Sequence, residues 1–404
     1  MSSIILINVS GRDRSGLTAS LTEILADHGI AILDFGQSVI HDTYSLGVLI
    51  EVPEDREASP VLKDLVFRAH ELGLDLHFTP VADDDYAEWV SHQQRRRYII
   101  TVLGRQLSAR SIAAIARAVT DSGLNIDEVQ RLSERVPLER DRRHGRACVE
   151  MKIRGEPRDV DAMRARFMKL SAELESDIAF QEDDLYRRNR RLVAMDMDST
   201  LVQWEIIDEL ANAAGVGTEV KAITERAMRG ELDFAASFRQ RLGLLAGLRA
   251  SVLEEIAGRM PLTEGAERLV ANLKSLGYKI ALLSGGFTYF GRRLQKRLGL
   301  DYVYANELEV VDGAVTGRVV GDLVDGQRKA DLLREIARQE GLRLEQVIAV
   351  GDGANDLPML SAAGLGIAFR AKPLVREGAR QAISTVGLDG ILYLMGIRDR
   401  ETRN

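Results

Sequence analysis

Two aspartates one residue apart, Asp196 and Asp198, stand where the apolar run Leu192-Val193-Ala194-Met195 gives way to Ser199-Thr200. A short apolar run followed by turn-forming residues reads as a buried parallel strand. Side chains alternate along a strand, so residues two apart share a face. The pair therefore emerges together at the strand's carboxyl end, where open α/β sheets hold their ligands. Adjacent carboxylates repel each other and resist burial; a bound cation or a shared proton resolves the conflict. Three further stretches carry chemistry. Ile280-Ala281-Leu282-Leu283 leads into Ser284-Gly285-Gly286, and Lys329 opens a helix after Gly326-Gln327-Arg328. Val347-Ile348-Ala349-Val350 leads into Gly351-Asp352-Gly353-Ala354-Asn355-Asp356. In a parallel sheet these ends share one edge. Each piece alone fits a cap or a tight turn, whereas the ordered set of four points to one site.

Residue usage narrows the chemistry of that site. All six histidines (His28, His41, His70, His77, His92, His144) and the single cysteine, Cys148, precede residue 150. The second half thus lacks the parts of a Ser-His-Asp triad, a thiolate nucleophile or a His/Cys zinc site. Carboxylates, hydroxyls, Lys and Arg remain, which favours oxygen ligands and a hard cation such as Mg²⁺. The 404 residues exceed one ordinary domain, and 45% hydrophobic residues suffice for real cores. A net charge of −7 argues against a nucleic-acid binder, and no apolar stretch is long enough to cross a bilayer. The start, Met1-Ser2-Ser3-Ile4-Ile5, lacks the basic region of a signal peptide, and a lone cysteine allows no internal disulfide, so a cytoplasmic protein is expected.

The elements that must position these residues follow a regular plan. From Ile4 the pattern is strand, helix, strand, strand, helix, strand, ending near Phe78. The stretch 81–97, with Asp83-Asp84-Asp85 and Arg95-Arg96-Arg97, reads as a solvated linker. The same order then returns from Tyr98 to Gln181, with Arg140–Arg146 as a charged hairpin tip. A repeated βαββαβ unit is the ferredoxin-like α+β pattern. Beyond Arg187-Arg188-Asn189-Arg190-Arg191, strands alternate with helices as in a doubly wound parallel sheet. A helical insertion occupies about 203–260, and a hairpin turns at Asp312-Gly313. The expected domains are 1–82, 97–182 and 187–404. Gly11 and Gly16 have P-loop spacing, but Leu17 stands where that loop needs its lysine, so the nucleotide reading is rejected.

The paired βαββαβ units resemble ACT domains, which are small amino-acid-binding regulatory modules. Gly11-Arg12-Asp13-Arg14-Ser15-Gly16-Leu17 and Gly29-Ile30-Ala31-Ile32-Leu33-Asp34 carry the resemblance in the first copy. Gly104-Arg105-Gln106 and Gly123-Leu124-Asn125-Ile126 carry it in the second, which lacks the Asp-Arg-Ser-Gly portion. The four strand-end pieces resemble the haloacid dehalogenase-like phosphotransferase superfamily over residues 191–395. That resemblance implies a doubly wound sheet with a helical cap and a Mg²⁺ site. Asp196 and Asp352 would give carboxylates to the ion, Asp198 a backbone carbonyl, and Asp356 support from behind. Ser284 and the N–H groups near Gly285 would grip phosphate oxygens, and Lys329 would balance charge between phosphate and Asp196. It further implies that Asp196 attacks phosphorus, Asp198 acts as acid and then base, and Thr200 orients Asp198.

The substrate reading comes from the insertion. Glu205-Ile206-Ile207-Asp208-Glu209-Leu210, the run from Ile223 through Met228 to Phe234, and Ser237-Phe238-Arg239-Gln240-Arg241 closely resemble the phosphoserine phosphatase family. Thr263-Glu264-Gly265-Ala266, Phe287 and Ala371-Lys372-Pro373 fit it too. By that resemblance Glu205 meets the substrate ammonium and Arg241 its carboxylate, for which an Arg fork suits. Met228 and Phe234 close the pocket; Asn355, Ser284, Gly285 and Lys329 complete substrate binding. The expected activity is Mg²⁺-dependent hydrolysis of O-phospho-L-serine in the last step of serine biosynthesis. The expected protein is a homodimer whose N-terminal modules bind L-serine or another amino acid, with no nucleic-acid or membrane partner. Another small phosphomonoester, transfer to an acceptor other than water, or an amino-acid-sensing regulatory protein with an inactive phosphatase half are the alternatives.

Overall fold

The computed structural model describes residues 3–53, 58–93, 95–135 and 145–403 and divides into two compact units, residues 1–95 and 96–404. His144 and most of the charged hairpin tip lie outside the described residues.

In the first unit the order is β1 (Ser3–Arg12), α1 (Leu17–Asp27), β2 (Ala31–Ile40), β3 (Thr43–Val52), α2 (Ala58–Leu72) and β4 (Leu74–Val81). The strands form one antiparallel sheet in the order β2-β3-β1-β4. Helical spacing places Leu17, Leu21 and Leu25 of α1, and Val61, Leu65 and Ala69 of α2, in a common core with Ile7, Val9, Val48 and Ile50. The stretch expected as a linker instead holds a helix, α3 (Asp83–Gln93). Its three aspartates occupy the first turn, where the positive end of the helix dipole favours them. The helix buries none of its residues and lies between the two repeats, so the stretch is a solvated connection in helical form.

The second unit opens with the repeat: β5 (Arg97–Gly104), α4 (Ala109–Asp121), β6 (Asn125–Arg131), β7 (Ala147–Arg154), α5 (Val160–Leu174) and β8 (Asp177–Glu182), with sheet order β6-β7-β5-β8. One sheet face packs on its own helices through Ile100, Val102, Met151 and Phe180. The other face sends Leu103, Cys148 and Ala179 into the large core that also contains Val193 and Met195. A sheet covered on both sides needs near-continuous apolar strands, and β5 is buried from Tyr98 to Gly104. The antiparallel edge at β8 is closed by a side chain. Gln381 accepts from the Phe180 N–H at 2.9 Å and donates to the Phe180 carbonyl at 2.6 Å, as a further strand would.

The remainder is the doubly wound sheet. Its first strand, β9 (Leu192–Met195), is followed by four helices of the insertion: α6 (Ile206–Ala214), α7 (Gly217–Met228), α8 (Phe234–Gly243) and α9 (Ser251–Arg259). Then come α10 (Ala266–Ser275), β10 (Lys279–Phe287), α11 (Thr288–Leu298), β11 (Tyr302–Val311), β12 (Ala314–Val320), α12 (Gly326–Gln339), β13 (Val347–Gly351), α13 (Leu357–Ala362), β14 (Leu365–Phe369), α14 (Pro373–Gly378) and β15 (Gln381–Ile383). The sheet order is β12-β11-β10-β9-β13-β14-β15, parallel except for β12. Thus β9 is central, flanked by β10 and β13, and the three chemistry-bearing strand ends are neighbours. The stretch Tyr302–Ala305 and the first arm of the hairpin are one strand, β11. Its turn has positive φ at both Asp312 and Gly313, as a tight two-residue hairpin requires. The hairpin props the insertion: Gly247 N–H donates to the Val315 carbonyl, and Val315 N–H to the Leu248 carbonyl, each at 2.8 Å.

Candidate active site

The loop after β9 places the first two carboxylates. Asp196 N–H still pairs with the Val350 carbonyl of β13 at 2.9 Å, so Asp196 is held by the sheet. The chain then makes one wide turn, closed by Val202 N–H donating to the Met197 carbonyl at 2.9 Å, with Ser199 at a φ of 53°. A non-glycine residue in that region is uncommon and marks a position fixed by its surroundings. The turn separates the two carboxylates. Asp196 faces Lys329, while Asp198 lies under the insertion and accepts the Ile206 N–H at 3.2 Å.

Lys329 comes from the first turn of α12, whose N-cap Asp325 accepts the Arg328 N–H at 2.8 Å. Its ammonium is fully buried, 2.8 Å from Asp196 and 2.7 Å from Asp356. Asp356 is itself fully buried and also accepts the Gly353 N–H at 3.0 Å, tying down the loop that carries Asp352. Carboxylate oxygens of Asp196, Asp352 and Asp356 all lie within 4.8 Å of one another. Three carboxylates around one ammonium leave excess negative charge in a buried place. Burial, then Asp356, pushes Asp196 up to about 8 against the pull of Lys329, with Asp352 adding to the rise. Burial and Asp356 push Asp352 up to about 7. Burial, then Glu205 and Asp196, raise Asp198 well above the ordinary carboxylate range. Burial by itself would lower Lys329, but Asp196 and Asp356 outweigh that and raise it. The all-oxygen cluster with its surplus charge fits a small hard dication.

Thr200 does not orient Asp198. Its hydroxyl donates to Asp352 at 2.8 Å, because the wide turn swings it toward β13. The residue that the sequence reading passed over is Ser199, whose hydroxyl donates to Glu205 at 2.8 Å. The turn at Ser284-Gly285-Gly286 is drawn tight by Gly286 N–H donating to the Ser284 hydroxyl oxygen at 2.8 Å. A Cβ on Gly286 would come within 2.5 Å of the Asp198 carboxylate and 2.7 Å of Met197, so only glycine lets this loop pass.

A cavity of about 220 Å³ opens between the strand ends and the insertion. The strand loops contribute Asp196, Asp198, Asp352, Gly285 and Asn355 to its lining, and the insertion with its approach contributes Glu205, Arg241 and Phe234. Ile207, Phe238 and Phe287 form apolar walls that the sequence reading did not single out. Stacked Phe234 and Phe238, with Phe287 beneath, carry the insertion down onto the Gly285 loop. Arg241 is half-buried, and its Nε is buried with no hydrogen-bond partner, which leaves a donor for an anionic ligand group. Burial lowers its pKa from the ordinary value. Ser284, Lys329 and Asp356 stand behind the cavity wall rather than in it. The side chain of Met228, at the end of α7, lies outside the described ones.

A carboxylate pair at the centre of a doubly wound sheet, a buried lysine and an acidic loop on the next strand, all under a helical cap, define a haloacid dehalogenase-like hydrolase. Family models agree: residues 193–361 match the haloacid dehalogenase-like hydrolases, and residues 3–79 and 97–181 each match the ACT domain. The chain is 42% identical to a phosphoserine phosphatase of Mycobacterium tuberculosis over 97% of its length and 93% of the relative's. It is also 42% identical to a phosphoserine phosphatase of Streptomyces coelicolor, over 98% of this chain and 93% of that one. A probable phosphoserine phosphatase from Vibrio cholerae superposes with a TM-score of 0.59 at 35% identity, covering 76% of this chain and 87% of that chain. The chain belongs to the phosphoserine phosphatase family, as an enzyme with two ACT domains ahead of its hydrolase domain.

Proposed function

We propose that the protein hydrolyses O-phospho-L-serine to L-serine and inorganic phosphate, the last step of serine biosynthesis, with Mg²⁺ as its cofactor. The observation that carries this reading is the lining of the cavity. The strand loops bring to it the groups for a phosphoryl centre, and the insertion and its approach offer one carboxylate, Glu205, and one guanidinium, Arg241, matched to an ammonium and a carboxylate. Asp196 and Asp352 would hold Mg²⁺ with their carboxylates and Asp198 with its backbone carbonyl, and Asp356 would support them from behind. When bound, the ion supplies Lewis-acid stabilisation of the phosphoryl oxygens.

The chain's own residues do the rest. The Asp196 carboxylate attacks phosphorus, and the bond from phosphorus to the serine oxygen breaks. Asp198, whose raised pKa favours its protonated form, gives a proton to the departing oxygen. As a carboxylate, Asp198 then takes a proton from water as that water attacks the aspartyl-phosphate; the bond to Asp196 breaks and phosphate leaves. Lys329 holds the Asp196 carboxylate and favours its charged form. The Ser284-Gly285 loop would grip the phosphoryl oxygens, held in shape by the Ser284 hydroxyl oxygen accepting the Gly286 N–H. Phe234 and Phe238 close the cap and exclude water. Asn355 lines the substrate's path.

The protein acts in the cytoplasm; no helix among the described residues is long and apolar enough to cross a membrane. L-serine or another amino acid binds the N-terminal ACT domains and alters activity. A homodimer is supported by the edge strand β2, which leaves Ile32, Phe35, Val39 and Ile40 exposed. The test compares phosphate release from phosphoserine, phosphothreonine and an aryl phosphate, with and without Mg²⁺, in wild type and Arg241→Ala. Strong preference for phosphoserine, lost in the variant mainly through a raised KM, is expected. Equal rates on all three substrates would sink the reading.

A further inference from the structure

Asn306, on β11, is nearly wholly buried and belongs to none of the four strand-end pieces. Both ends of its amide are used. Its Nδ2 donates to the Gly285 carbonyl at 2.8 Å, and its Oδ1 accepts the Val324 N–H at 2.8 Å. Gly285 belongs to the loop after β10 that faces the cavity. Val324 begins the segment that leads through the N-cap Asp325 into α12 and Lys329. That segment is confined from its other side, since a Cβ on Gly326 would fall 2.5 Å from the Asn355 carbonyl. A single amide therefore joins the Ser284 loop to the Lys329 helix, and the Lys329 helix abuts the Asp352 loop.

We propose that Asn306 is a positioning residue for phosphoryl transfer: its amide holds the Gly285 carbonyl while the Ser284 hydroxyl oxygen holds the Gly286 N–H on the other side of that peptide unit, and the loop so fixed keeps its donors to the phosphoryl group in register with Lys329. The inference rests on the reading of that loop as the phosphate grip. A peptide unit has its carbonyl and N–H on opposite sides, so holding one sets the direction of the other. If the carbonyl is released, the unit can rotate and present an oxygen to an anion. Donors aimed at developing charge count in the transition state more than in the bound ground state. The loss should therefore fall on kcat more than on KM.

The discriminating variant is Asn306→Asp. A carboxylate still accepts the Val324 N–H but cannot donate to Gly285, and it sets two oxygens against each other. The full chain is assayed with phosphoserine and Mg²⁺, with kcat, KM and thermal melting recorded. Expected are a folded protein, a kcat lower by on the order of 100-fold, and a KM changed by only a few-fold. Asn306→Ser is the second variant, which vacates both bonds without adding charge, and the same split is expected. Thr288→Val is the control: it removes a comparably placed hydrogen bond to the neighbouring Ala305 carbonyl and should leave kcat within about twofold. A wild-type kcat in Asn306→Asp would overturn the proposal. So would failure of both Asn306 variants to fold, because the residue would then be scaffold first. If wild type itself releases no phosphate from phosphoserine, the functional reading fails instead, and the two failures are told apart.

Discussion

Replacing Lys329 by methionine tests the electrostatic logic of the site most directly. The ammonium is fully enclosed and sits 2.8 Å from Asp196 and 2.7 Å from Asp356. At an effective dielectric of about 20, each pair attracts by roughly 6 kcal/mol. Most of that is offset by desolvation, so the net worth of the lysine is far smaller. Its removal nonetheless strands buried carboxylates, and breaking a buried pair in this way costs about 3–5 kcal/mol. At roughly 2–4 °C per kcal/mol for a domain of this size, a melting temperature lower by about 10 °C is expected at pH 8 without divalent ions. The sign of the pH dependence follows from Asp196, already pushed up to about 8 with the lysine present. Near pH 5 that carboxyl is protonated and needs no partner, so Lys329→Met should lose much less stability there. Activity on phosphoserine should fall by about 10²–10³-fold in kcat, the scale of one preorganised charge aimed at a transition state. Thermal melts at both pH values, and phosphate release at saturating substrate, check the two halves. A kcat within tenfold of wild type, or an equal melting-temperature drop at pH 5 and pH 8, would refute the reasoning.

Two further predictions follow from the same structure. Asp196 and Asp352 are raised to about 8 and about 7, so the metal-free protein binds more protons folded than unfolded. Their contribution to stability is full below about pH 4 and is lost as pH rises through about 7 to 8; Mg²⁺ should therefore raise the melting temperature more at pH 8 than at pH 5, and an equal rise at both would contradict the cluster. At the face between the second ACT domain and the hydrolase sheet, buried Asp177 accepts from Ser384 N–H at 2.9 Å and from Thr385 N–H and hydroxyl at 2.8 and 2.6 Å. The Arg105 fork on Glu264, at 2.7 Å, is partly exposed. Asp177→Ala should then cost about 2–4 kcal/mol and Arg105→Ala less than about 1 kcal/mol in denaturant unfolding, and the reverse order would show that the face is held by its surface charges.

What could be read from the sequence was what depends on local order. A strand followed by Asp196-Met197-Asp198, by Ser284-Gly285-Gly286 or by Gly351-Asp352 places those residues at a sheet edge whatever else the chain does. Glu205 and Arg241 were within reach only because their flanks resemble a family. What could not be read depends on where distant segments meet. Thr200 points to Asp352 rather than Asp198 because of a wide turn that no spacing rule announces. Asn306 looks like any strand asparagine until Gly285 and Val324 arrive on either side of it.

The tandem repeat shows the same limit from the other direction. The two ACT copies share an element order, so the sequence alone suggests equal modules. In the first copy the stretch from Arg12 to Gly16 is exposed. In the second, Arg105 of the corresponding loop is committed to Glu264 of the hydrolase portion, and the sheet face behind it is buried in the hydrolase core. The absence of the Asp-Arg-Ser-Gly portion from the second copy then has a physical reason. A loop whose cation anchors a neighbouring domain is no longer constrained to receive a ligand, while its strands must turn apolar on both faces, as β5 has. The two copies share one fold, and packing against the hydrolase portion sets the second apart from the first.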